Sequence, residues 1–167
     1  MTNNNEIPEL CFLAIQKGDS QSIAELKYAL ETHGFFSIIN HGLSTKLTDK
    51  CYELSKSFFD LDFQVKNKYS SVGSKGARGY TPIGIETAVG EEIPDQKEFW
   101  HHGPNINKTY NKKIPENINI EEVVDFNKYF DQLFVELNNI GSNVLSVIAS
   151  SINLNKDYFF EVNKLLH

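Results

Sequence analysis

The stretch from Ile120 to Ile152 constrains the fold more than any other part of the chain. Phe126, Phe130, Leu133, Leu137, Ile140, Val144 and Ile148 recur there at spacings of three and four residues. That is the period of an amphipathic helix. At ~1.5 Å per residue, a helix over 120–152 is roughly 45–50 Å long. Tyr129, Phe134 and Leu145 form a second, partial stripe, which predicts burial on more than one side. Such a face needs a sheet or other helices to cover it. The strand-like segments ahead of it are few and short, so part of the face is expected to serve material outside this chain.

Shorter elements precede it. A helix is predicted over Ser22–His33, with Ser22 and Glu25 in the spacing of a capping box and Ile23, Leu26 and Leu30 on one face. Gly34 suits the left-handed residue that stops a helix. Phe35 to Asn40 is aromatic and β-branched and lies between Gly34 and Gly42, which predicts a mostly buried strand. A second helix opens at Ser44 as N-cap, carries the stripe Leu47, Cys51, Leu54 and Phe58, and ends near Phe59-Asp60. Tyr69 to Tyr80 is rich in Ser, Gly and Lys and predicts a mobile loop. Tyr80–Thr87 and Lys97–His102 predict short strands around a turn at Gly90–Asp95. Asn105–Asn119 predicts a second loop, and a last short helix starts near Asn155. Together these elements predict an α+β fold: one helix-rich domain over residues 1–167, with a few short strands and one long helix.

Composition excludes several classes. Apolar residues make up 40% and aromatics 12%, too much for a disordered chain. The net charge is -6 and there is no basic run, so nucleic-acid binding by phosphate neutralisation is not expected. No stretch approaches the ~20 apolar residues of a membrane span. The polar opening Met1-Thr2-Asn3 carries no signal-peptide pattern. Cys11 and Cys51 lie far apart and are expected to be buried, reduced thiols of a cytoplasmic protein. Arg78 is the only arginine, against 15 lysines.

Three segments, taken together, resemble one family. They are His33-Gly34-Phe35-Phe36-Ser37-Ile38-Ile39-Asn40-His41-Gly42-Leu43, then Arg78-Gly79-Tyr80-Thr81-Pro82 with Glu86, then Asp95-Gln96-Lys97-Glu98-Phe99-Trp100-His101-His102-Gly103-Pro104. In this order they resemble the N-terminal region of the isopenicillin N synthase-like superfamily of non-haem iron(II), 2-oxoglutarate-dependent dioxygenases. The resemblance implies a domain normally packed on a double-stranded β-helix (jelly-roll) barrel, and that catalytic barrel is expected to be missing from this chain. It implies iron(II) and 2-oxoglutarate as cofactors of the complete enzyme, with a small-molecule substrate. Hydroxylation, desaturation, cyclisation and ethylene formation all stay open. It also implies that Arg78, Tyr80 and Glu86 lie near the mouth of the active site. The planar fork of Arg78 suits a substrate carboxylate.

The family holds iron with an H-x-D pair and a later His, and binds the cosubstrate with R-x-S. No His here is followed by x-Asp or x-Glu, and Arg78 is followed by Gly-Tyr. The expectation is therefore a chain without catalytic or metal-ligating residues of its own, inactive alone and binding neither cofactor tightly. The alternative is a truncated, non-catalytic binding or interaction module on the same scaffold.

The remaining candidates have plainer readings. Adjacent side chains on a strand point to opposite faces, so His101 and His102 do not easily share a metal. His41 is expected to be a structural turn histidine, His33 to sit at a helix C-terminus, and Cys51 to be core. Gly73, Gly76 and Gly79 lack the Gly-Lys-Ser/Thr ending of a phosphate loop. Asp95, Lys97 and Glu98 are expected to form a solvated charge cluster.

Overall fold

The computed structural model describes residues 7–70, 77–90, 92–105 and 115–165, with side chains described up to 162. The chain divides into two compact units. One comprises Met1–Leu43 and Leu137–His167, the other Ser44–Glu136.

In the first unit, β1 (Glu9–Cys11) runs into the short helix α1 (Phe12–Gln16), followed by α2 (Ser20–Thr32) and β2 (Ser37–Ile39). The two strands pair in parallel, with Leu10 opposite Ile38. Helix α2 starts three residues earlier than the capping-box spacing predicts. Asp19, not Ser22, is the N-cap, and its carboxylate accepts from the Ser22 amide at 2.9 Å. An anionic cap at a helix N-terminus also favours the helix dipole, and the carboxyl pKa of Asp19 is lowered accordingly, chiefly by that amide. Gly34 follows the helix with φ +77°, as the sequence predicts. The core gathers Leu10, Ile15 and Leu26 against Leu30, Phe36, Ile38, Val147 and Ile148.

Two expectations fail in this unit. The strand after Gly34 is not mostly buried. Phe35 is 56% exposed, and Ser37 and Ile39 face outward, because β2 pairs on one edge only and packs through Phe36 and Ile38. Cys11 is not buried either. It caps α1, half-exposed, where the Asn40 amide donates to its sulfur at 3.4 Å. That bond is the main cause holding the thiol below its ordinary pKa.

The second unit opens with α3 (Thr45–Phe59), capped by Ser44 as predicted, and continues through α4 (Phe63–Asn67). The stripe Leu47, Cys51, Leu54 and Phe58 is buried. Strands β3 (Gly79–Thr81) and β4 (Phe99–His101) pair antiparallel, with Tyr80 opposite Trp100. They are shorter than the predicted Tyr80–Thr87 and Lys97–His102, and beyond them the chain is joined by the Glu86–Lys97 ion pair and by backbone bonds such as Asp95 N–H to the Glu86 carbonyl rather than by a ladder. The core is aromatic. Phe58 makes edge-on contacts with Phe59, Tyr69, Tyr80 and Trp100 and a tilted one with Phe126. Leu54, Ile120 and Val123 complete it. The predicted mobility of Tyr69–Tyr80 falls largely on residues 71–76, outside the described residues, while Ser70 bridges to Tyr80. Most of the predicted loop Asn105–Asn119 lies outside them too.

The long helix α5 (Phe126–Ser151) begins in the second unit and continues into the first without a break. It starts six residues later than the apolar period predicts. Ile120 and Val123 are buried in a turn instead, which ends at Asp125 with φ +64°. Asn127 holds that turn: its carbonyl accepts from Ile120 N–H at 3.1 Å and its amide donates to the Ile118 carbonyl at 2.8 Å. A final helix, α6 (Tyr158–Leu165), follows Asn155, whose backbone carbonyl accepts from Tyr158 N–H. Among the described residues, no helix is long and apolar enough to cross a membrane.

Candidate functional site

The register of β3 and β4 builds the site. Gly79 lies opposite His101, so the next rung outward brings Arg78 to His102 and Gly103. The Arg78 guanidinium packs against Gly103: a Cβ there would overlap Nη2 and Cζ and stand 2.6 Å from Nε. Arg78 Nη1 donates to the Ala77 carbonyl at 2.6 Å. Nε is buried with no hydrogen-bond partner. The side chain is half-buried, and no carboxylate pairs with it among the described residues. In contrast, Lys66, Lys68 and Lys97 all meet acidic partners.

The bed under Arg78 is fixed from below. Gly103 N–H donates to Asn117 Oδ1 at 2.9 Å, and Asn117 Nδ2 donates to the Gly103 carbonyl at 2.7 Å. His102 Nε2 lies 2.7 Å from Asp131 Oδ1, and Asp131 Oδ2 accepts from Asn105 at 3.0 Å. The imidazole side chain is only 7% exposed. Burial pushes its pKa down, Asp131 opposes that, and the Arg78 charge adds to the lowering. A neutral ring that donates from Nε2 to Asp131 carries a lone pair at Nδ1, and this atom is buried without a partner.

Tyr80 stands one residue further in and is 2% exposed. Its hydroxyl donates to Glu98, which pairs with Lys66 at 2.9 Å. Lys66 also donates to the Phe59 carbonyl at 2.8 Å and lies 5.7 Å from the centre of the Tyr80 ring. Burial first, and Glu98 second, raise the Tyr80 phenol pKa well above the ordinary value. Glu86 lies apart on the exposed segment, 3.5 Å from Lys97, which Asp95 also holds at 2.9 Å. Of the predicted solvated cluster, Asp95 and Lys97 conform. Glu98 does not, because the alternation of β4 turns it inward to Lys66.

His101 is exposed against Phe99 while His102 is buried, the opposite faces expected of neighbours on a strand. His41 accepts from Leu43 N–H at 3.1 Å, and His33 caps the C-terminus of α2. Sequence reasoning singled out Arg78, Tyr80 and Glu86, and the structure puts the first two on one strand end without Glu86. It did not find Lys66, Asn117 or Asp131, whose roles arise from pairing across 14 to 32 residues.

Among the described residues, no group of three or more His, Cys, Asp or Glu side chains could hold a metal ion. Among the described residues the one buried imidazole, His102, already spends Nε2 on Asp131. These residues therefore do not fit an iron centre.

Residues 9–122 match the family described as non-haem dioxygenase in morphine synthesis N-terminal. A probable iron/ascorbate oxidoreductase of Dictyostelium discoideum is 31% identical over 149 residues, covering 81% of this chain and 40% of the relative. A 2-oxoglutarate-dependent dioxygenase of a Dothideomycetidae species is 26% identical, covering 90% of this chain and 49% of its own. The crystal structure of a 2OG-Fe(II) oxygenase family protein from Caulobacter crescentus superposes with a TM-score of 0.80 at 31% identity, over 92% of this chain and 50% of that one. The chain thus spans about half the length of the relatives it matches, or somewhat less.

Proposed function

Because the chain belongs to the N-terminal family of the non-haem dioxygenases, we propose that it forms the N-terminal part of an iron(II)- and 2-oxoglutarate-dependent oxygenase acting on a small molecule. The match over residues 9–122 carries this reading. In the complete enzyme a double-stranded β-helix barrel supplies the iron ligands and the cosubstrate site, and this chain supplies neither. Its contribution is on the substrate side. Arg78, whose guanidinium has no acidic partner among the described residues, faces a substrate carboxylate, Tyr80 anchors the strand that follows Arg78 in the core with its hydroxyl on Glu98, and Glu86 acts from the exposed segment. The two unbridged cysteines are in keeping with a cytoplasmic location.

The test is an assay of the chain with iron(II), ascorbate and 2-oxoglutarate, following succinate. No turnover above a protein-free blank is expected from these residues alone. The same assay on a longer form that continues into H-x-D, a distal His and R-x-S should give turnover, and Arg78→Gln in that form should raise KM. Turnover by the chain alone, or an inactive longer form, would sink the reading. The second of these outcomes would favour a non-catalytic binding module, the reading that the missing H-x-D pair supports.

A further inference from the structure

We propose that Gly103 is a positioning residue that holds Arg78 ready for a carboxylate ligand. This rests on the reading of Arg78 as the substrate-side anion contact, and adds what makes that contact possible. Two independent observations carry it. The first is steric: the Arg78 guanidinium occupies the volume that a side chain at position 103 would fill. The second is the state of the polar groups around it. Arg78 Nε and the Nδ1 of the buried His102 both lack partners, and the guanidinium has no acidic partner among the described residues of a chain whose net charge is -6.

A guanidinium left without a carboxylate in an acidic protein keeps its fork for an external one. The bed fixes where that fork faces. Asn117 clamps both backbone groups of Gly103, and Asp131 and Asn105 fix the histidine before it. Arg78 Nη1 is tied to Ala77, which leaves Nη2 and the outer hydrogen of Nη1 for the ligand. The three atoms nearest to a methyl group at position 103 all belong to the Arg78 guanidinium, the far end of a flexible side chain rather than backbone. Gly103 has no positive φ, so alanine fits its backbone. Gly103→Ala should therefore spare the fold and swing the guanidinium away.

Arg78 is the only arginine, so its Nε–H gives one unambiguous side-chain signal in heteronuclear NMR of the full chain. In the wild-type chain, propionate should shift this signal saturably, and the neutral analogue propionamide should not. Gly103→Ala should need about tenfold more propionate, the scale of one lost charged hydrogen bond. Its Nε–H should also exchange faster with water, with melting temperature and Tyr80 ring signals unchanged. Asn117→Ser, which frees Gly103 without adding an atom beside Arg78, should weaken propionate in the same direction. Equal propionate affinity in wild type and both variants overturns the positioning role. A wild-type signal that ignores propionate overturns the carboxylate reading of Arg78 itself.

Discussion

His102 Nε2 lies 2.7 Å from Asp131 Oδ1, which ties the end of β4 to the start of α5. The imidazole is buried, and burial outweighs the carboxylate, so its pKa falls below the ordinary value of 6.5. The folded state then favours the neutral ring, and below about pH 6.5 the unfolded chain binds more protons. Stability from this residue is complete above that pH and is lost as the pH falls toward the lower folded pKa. His102→Gln keeps a donor for Asp131 but cannot titrate. Between about pH 7 and pH 5, the urea midpoint of the wild-type chain should fall further than that of His102→Gln. Parallel losses would assign the pH dependence to other groups.

Lys66 and Glu98 form the least exposed ion pair described, and Glu98 keeps 24% of its side chain exposed. Lys66→Met takes the cation from Glu98, which keeps only the Tyr80 hydroxyl, and leaves the Phe59 carbonyl without its donor. The cost should be about 3 kcal/mol, near the low end for a broken buried pair because Glu98 still reaches water. Lys66→Met with Glu98→Leu should recover a large part of that loss. Urea denaturation of the four chains measures the coupling, and strictly additive losses would show that the pair does not act as one.

Gly79 and Gly141 make a matched contrast. Gly79 has φ +80°, and a Cβ there would stand 2.5 Å from the Tyr69 carbonyl oxygen and 2.6 Å from Ile118 Cδ1. Backbone cannot yield as a side-chain tip can, so Gly79→Ala should cost about 3 kcal/mol. Gly141 sits inside α5 with nothing within 4 Å, so Gly141→Ala should stabilise by about 1 kcal/mol through helix propensity. Thermal melts of the two variants should move in opposite directions.

Leu137 and Phe126 share the apolar stripe of α5 and differ in burial. Leu137 is 49% exposed, and Phe126 is 2% exposed among Phe58, Trp100 and Phe130. Phe126→Ala should cost about 3–5 kcal/mol, and Leu137→Ala about 1 kcal/mol because half of its transfer term is absent. Similar losses in denaturant would mean that Leu137 is covered in solution.

Elements whose signals are local can be read from the residues alone. Ser44 as a cap, the stripe from Leu47 to Phe58, the stop at Gly34 and the unbroken helix through 126–148 need only neighbours within a turn or two. The family segments were legible for the same reason, since each is a contiguous string. The remainder arises from contacts between distant segments. Whether Phe35 and Leu137 are covered depends on what packs against them, and periodicity reports only which face would be covered. The late start of α5 depends on Asn127 reaching back to Ile118 and Ile120, and on Ile120 and Val123 being drawn into the aromatic core. The bed of Arg78 depends on a strand register that puts residue 78 beside residues 102 and 103, and on Asn117 and Asp131 arriving from other segments. Side-chain hydrogen bonds between distant segments leave no period in a sequence, so this part of the site exists only once the chain has folded.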